Sequence, residues 1–240
     1  MADVTEVPDL PDRTGTAGVP GAEEVEGTVD LLGAIAYGAL AAFERLAQDG
    51  AGAPSLADKV TLATMAGRQV DHLERVRDRL TELGADLMAA MEPFHRAFDD
   101  FHAHTRPKDW LEGLMWVYVG SGFVDDFYAE VARHVDDVTR SLVGEVLSPA
   151  SGRAEHDDFV VSRVRAGIAA DPRVAGRLAL WGRRLVGEAL SQAQRVALDR
   201  SGLATLLVGA EGVDVVSVNR TFSRLVENHA ARMRRLGLQP

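Results

Sequence analysis

The side chains able to do chemistry in this chain are imidazoles, carboxylates and amides, because the sequence contains no cysteine. That excludes disulfides, thiolate metal centres, CxxC redox pairs and a thiol nucleophile, and leaves nitrogen and oxygen as the side-chain ligands for any metal. Gln69-x-x-His72 stands at helical spacing, and further candidates recur along the chain: Ser121 with Asp125, His156 with Asp157, Glu188 with Gln192. Carboxylates and imidazoles converging from facing helices can hold an oxygen/nitrogen metal site inside a bundle. His95, His102 and His104, with Asp99 and Asp100, include a His-x-His that could bind metal, but their setting reads as a polar surface link. Gly209-Ala210-Glu211-Gly212 does not follow a strand or open onto a phosphate-binding helix, and Ser148, Ser151 and Ser201 lie in no nucleophile-elbow context.

Such residues act together only if the backbone gathers them, and the apolar pattern implies helices throughout. Proline and glycine divide the chain into segments too long for strands, with apolar residues at helical spacing. A first helix is expected from Thr28 or Val29 to Gln48. A second follows the N-cap Ser55 and runs to Gly84, and an irregular or short-helical link covers 85–106. A third starts near Asp109, runs to about Arg133 and continues toward Leu147. Helices from Arg153 to Ala170, from Pro172 to Arg200 and from about Val213 to Leu236 complete an all-α chain.

Projected at 100° per residue, the first helix carries an apolar stripe of Leu32, Ile35, Ala39, Ala42, Phe43 and Leu46. Ala39 is near its centre, and Glu44 lies opposite with Tyr37 and Gly33. On the second helix Gln69 sits in mid-stripe and His72 at its edge. Asp125 faces inward on the third, which is apolar over most of its circumference. Asp157 aligns with Val161, Val164 and Ile168, with His156 on the flank. Gln192 aligns with Trp181, Leu185 and Val196, with Glu188 at the boundary of that stripe. A buried amide or carboxylate in such a layer must find a partner.

The chain has 240 residues, 46% of them hydrophobic, with 26 basic against 36 acidic residues and a net charge of −10. Residues 1–27 hold seven acids and one Arg and read as a disordered acidic tail; 28–240 read as one bundle domain. Residues 28–172 hold 24 acids and 14 bases, whereas residues 173–240 hold 5 acids and 11 Arg. The C-terminal third is therefore positive, and a nucleic-acid partner is permitted but not indicated. No apolar run of about 18 residues argues for a membrane span, and the opening residues lack a secretory signal pattern, so a cytoplasmic location is expected.

The segments AIAYGALAAFERLA, LADKVTLATMAGRQVDHLERVRDRLTELG, DWLEGLMWVYVGSGFVDDFY, DPRVAGRLALWGRRLVGEALSQAQRV and HAARMRRLGL resemble the actinobacterial ferritin-like proteins. Those are grouped as similar to the tRNA hydroxylase that hydroxylates a methylthio-isopentenyl-adenosine next to the anticodon. The resemblance covers about residues 28–240. It implies a ferritin-like four-helix bundle with additional C-terminal helices, and iron that activates O2. Ferritin-like di-iron proteins supply a Glu from each of two helices and a Glu-x-x-His from each of the other two. Here the matching positions hold Ala39, Gln69 with His72, Asp125 or Ser121, and His156 with Asp157 but no Glu-x-x-His.

Two functions follow from the resemblance. One is O2-dependent hydroxylation at a depleted or single-metal iron site built from His72, Asp125, His156 or Asp157, with Glu188 and Gln69 as further candidates. The other is a catalytically inactive scaffold that binds a protein partner or a small ligand in the former metal cavity. An RNA substrate would meet Arg183, Arg184, Arg232, Arg234 and Arg235, which read equally as solvated helix faces balancing the acidic middle segment. The broad apolar coverage of the third helix, and Val215, Val218, Phe222, Leu225 and Val226 on the last, suggest a homodimer.

Overall fold

Ten α-helices can be followed along the described residues of the computed structural model, which are 22–148, 152–200, 202, 203, 206 and 215–240; no strand occurs among them. Helix α1 (Ala22–Ala51) turns through a short connection into α2 (Leu56–Glu82), so the two lie against each other as antiparallel neighbours. Most of the expected tail lies outside the described residues, but its last six residues, 22–27, are helical and open α1. Ser55 is extended and accepts from the Asp58 amide, as its N-cap role requires.

The 85–106 link is helical and forms part of the core. Asp86 caps α3 (Leu87–Met91), a 3-10 turn follows at Glu92–Phe94, and α4 (His95–His104) completes the segment. Met91, Phe94 and Phe101 are buried, so this is no polar surface link. It covers the side of α1 expected to face solvent. Gly33 lies so close to the Ala90 carbonyl that a Cβ would stand 2.1 Å from its oxygen, and Tyr37 donates to Asp99 Oδ1 at 3.0 Å. Glu44 does reach solvent, whereas Phe43, placed in the apolar stripe by its spacing, is 37% exposed.

The expected third helix is broken into pieces. Asp109 caps α5 (Trp110–Met115), which passes into a π-helical segment (Trp116–Ser121) and then α6 (Gly122–Val131). A 3-10 turn at Ala132–His134 ends the run, Val135 is extended, and Asp136 caps α7 (Asp137–Val146) by accepting from Thr139. The continuation to Leu147 is therefore a separate helix with its own N-cap. Helix α8 is Arg153–Ala170, α9 is Val174–Asp199 and α10 is Val215–Arg235. The α5–π–α6 run touches α1, α8, α9 and α10, the central position that its all-round apolar pattern implies. Over Glu24–Ala51, α1 is long and apolar enough to cross a membrane by composition, but 67% of its apolar 18-residue stretch is buried inside the fold.

The segregated charge of the sequence is neutralised across space. Arg232 grips both oxygens of Asp126 at 2.6 and 2.7 Å, Arg224 pairs with Glu130, Arg235 with Asp158, Arg177 with Asp109 and Glu112, and Arg200 with Asp30. Arginines of the C-terminal third thus clamp the acidic middle of the chain.

Candidate functional site

A cavity of about 290 Å³ opens between the helices, with lining from α1, α2, α4, the π segment, α6, α8 and α9. Its walls are largely apolar: Ala34, Ile35, Ala39 and Ala42 from α1, Phe98 and Phe101 from α4, and Phe127 and Tyr128 from α6. Small residues on α1 leave this space, since Ala39 presents only a methyl group where a longer side chain would fill it. Tyr128 is fixed by donating its hydroxyl to the Ala34 carbonyl at 3.0 Å.

Five of the six candidate ligands line this cavity: Gln69, His72, Asp125, His156 and Asp157. Helix periodicity thus turned these five toward the same cavity. Glu188 does not belong to it. On α9 it accepts from His104 Nδ1 at 2.8 Å and from Gln192 Nε2 at 2.7 Å. Burial is the largest single influence and would raise its carboxyl, but those two hydrogen bonds and the attraction of His104 and Arg195 together leave it below its ordinary value.

The residue that sequence reasoning missed is Arg153, at the start of α8. Its Nη1 donates to Asp125 Oδ2, both side chains being about a quarter exposed. The Asp125 charge holds Arg153 protonated above its ordinary value, against the opposing effect of burial, and Asp157 and Asp126 add to that. Arg68, from α2, donates to the Gly152 carbonyl at 2.8 Å. Gly152 has φ 88°, and a Cβ there would collide with the Arg68 guanidinium, so only glycine admits this approach. Long-range pairing, not local pattern, makes this cluster. Only the acid surplus of residues 28–172, which requires cationic partners somewhere, hinted at it.

The imidazoles are neutral at pH 7. Burial pushes His156 down to about 4, helped by the Arg153 and Arg68 charges, and burial also lowers His72, partly offset by Asp125. Burial raises Asp157 above its ordinary value against the pull of Arg153 and Arg235. The Nε2 of His156 is buried without a hydrogen-bond partner, as is Oε1 of Gln192, which also lines the cavity.

These residues do not suit a di-iron group. The charged groups of the lining, Asp125, Asp157, Arg68 and Arg153, sum formally to zero. Two divalent cations require several bridging anions to neutralise them. The imidazole nitrogens have the correct charge state for a metal, but a guanidinium already occupies Asp125. Among the described residues no group of three His, Asp or Glu side chains could hold a metal ion.

The arginines proposed for RNA are mostly engaged within the chain. Arg183 donates to the Pro240 carbonyl, and Arg184 to the His104 carbonyl while lying over the Trp181 ring. Arg232 and Arg235 pair with Asp126 and with Asp157 and Asp158, and Arg183, Arg184, Arg234 and Arg235 are all exposed. On α10, Leu225 is buried while Phe222 and Val226 are 48% and 60% exposed; the side chains of Val215 and Val218 lie outside the described residues.

An all-helical bundle with inward polar residues gathered at a central cavity is the architecture of the ferritin-like class. A family model described as the ferritin-like domain of actinomycetes matches residues 23–210, and the chain belongs to that family. Helix α10 lies beyond the matched residues. No curated protein matches the chain.

Proposed function

We propose that this chain is a ferritin-like scaffold whose central cavity binds a small, mainly apolar molecule, and that it does not perform iron-dependent chemistry. The observation that carries this reading is the Arg153–Asp125 pair in the cavity wall, in which the inward carboxylate is already held by a guanidinium. The cavity argues the same way. Its walls are largely apolar, and a volume of about 290 Å³ lies near the lower end of small-molecule sites. A ligand that binds only the folded chain there stabilises it by mass action.

The other reading is a non-haem iron monooxygenase similar to the tRNA hydroxylase. Its support is the sequence resemblance, the inward placement of His72 and Asp125, and the π segment that precedes Asp125, since π-helical turns recur at functional sites. The formally neutral polar wall and the engaged arginines weigh against it.

The experiment is anaerobic loading with ferrous iron followed by metal analysis, with thermal melts in the presence of medium-chain alcohols. Metal near zero per chain, unchanged in His72→Ala and Asp125→Ala, together with a melting temperature raised by ligand, is the expected outcome. Iron at about one or two per chain that falls in both variants overturns the proposal. Salt-dependent tRNA binding, with log affinity falling steeply against log salt, would restore the hydroxylase reading.

A further inference from the structure

The chemical class of the ligand follows from one amide. Gln192 is 5% exposed, lines the cavity, and has its Oε1 buried without a partner. The orientation of this amide is dictated chemically. Its other end meets Glu188 at 2.7 Å, and an ionised carboxylate only accepts hydrogen bonds. The NH₂ group must therefore face Glu188, and Oε1 is left as an unpaired acceptor on a residue that lines the cavity. His104 fixes Glu188 in turn: the same Oε1 accepts from His104 Nδ1 at 2.8 Å.

The chain His104, Glu188, Gln192 thus runs from an exposed imidazole on α4 to an obligatory acceptor at an apolar wall. His156, the other unpartnered group in the lining, is different in kind, since a neutral imidazole nitrogen can donate or accept according to tautomer. It places no demand on a ligand, whereas Gln192 does. A buried acceptor that stays unpaired is penalised, so a ligand that brings a donor to it is preferred over one of the same shape that does not.

We infer that the cavity selects an apolar molecule carrying a hydroxyl or N–H group, received by Oε1 of Gln192, with Glu188 and His104 as positioning residues. The inference rests on the proposed function and names its ligand class. Size follows from comparison with an engineered cavity of about 150 Å³ that holds the six carbons of benzene. By the same ratio, a volume of about 290 Å³ admits about twelve non-hydrogen atoms.

The test compares 1-nonanol with 1-methoxyoctane by calorimetric titration of the full chain. Both probes have ten non-hydrogen atoms, but only the alcohol donates. The expected result is binding of the alcohol about tenfold tighter than the ether, with the preference abolished in Gln192→Leu. In Glu188→Gln the neighbouring amide can accept or donate, so Gln192 is free to turn, and the preference should narrow while the fold persists. Equal affinity of the wild-type chain for both probes overturns the inference and leaves the ligand-binding scaffold standing. Binding of neither probe overturns both.

Discussion

Arg153, the first residue of α8, donates to Asp125 of α6 in the wall of the central cavity, and this pair decides how the cavity is read. It satisfies an inward carboxylate with a side chain of this chain's own. A metal ion would have to displace a charged guanidinium and then find further anions that the wall lacks.

Removing the guanidinium should therefore be felt locally. Arg153→Met leaves Asp125 without its partner at a site only about a quarter exposed, and stability should fall by about 1–3 kcal/mol in urea unfolding, below the figure for fully buried pairs. The same variant takes away a charge that holds His156 down. Its imidazole should then titrate higher, read by NMR.

Acid should weaken the fold through His156. The unfolded imidazole titrates at about its ordinary 6.5 and the folded one at about 4. Between those values the unfolded chain binds a proton that the folded chain refuses, so stability is intact above pH 6.5 and is lost as the pH falls toward 4. One such histidine contributes a slope of about 1.4 kcal/mol per pH unit, on the order of 3 kcal/mol across the window. His72, His102 and His229 are lowered in the same sense, also by burial first. His156→Leu should flatten the slope by that amount in urea titrations between pH 4.5 and 7; an unchanged slope would remove His156 from the account.

Arg200 should prove structural. It closes the end of α9 onto Asp30 of α1, whose side chain is 2% exposed, with Nε at 3.1 Å from both oxygens. Arg200→Met strands that carboxylate and should cost about 3–5 kcal/mol. Asp30→Asn should be milder, and the double variant should lose less than the sum of the two, which a double-mutant cycle measures.

Filling the cavity should stabilise the free protein and block the ligand. Ala39 is buried in the lining, and Ala39→Leu adds three carbons, about 75 Å³ by the benzene comparison. That is worth about 2 kcal/mol and a melting temperature higher by about 4–8 °C. A fall in melting temperature, or unimpaired uptake of 1-nonanol, would count against an open cavity at Ala39.

Much of this was legible in the residue order, and the exceptions have physical causes. Helix ends at Ser55, Asp109 and Ala170 followed from caps and breakers, whose effects are local. Gln69, His72, Asp125, His156 and Asp157 line one cavity because the 3.6-residue period states which side chains face inward. The π segment Trp116–Ser121 left no trace in the pattern, since its apolar composition suits an α-helix equally well. Asp136 was overlooked as an N-cap because the apolar period continues past it. Glu188 was misassigned because a wheel gives direction on one helix and says nothing about which neighbour, here His104 of α4, stands opposite. Arg153 escaped notice because a charged residue at a helix start reads as a boundary, and its partner lies 28 positions away.

Native mass spectrometry of the protein purified from iron-supplemented cells reads both halves of the central claim at once. The expected spectrum shows the chain without metal, and a mass increment from a small organic molecule that disappears on denaturation and is lost in Ala39→Leu. An increment of one or two irons per chain, lost in Asp125→Ala, would contradict it.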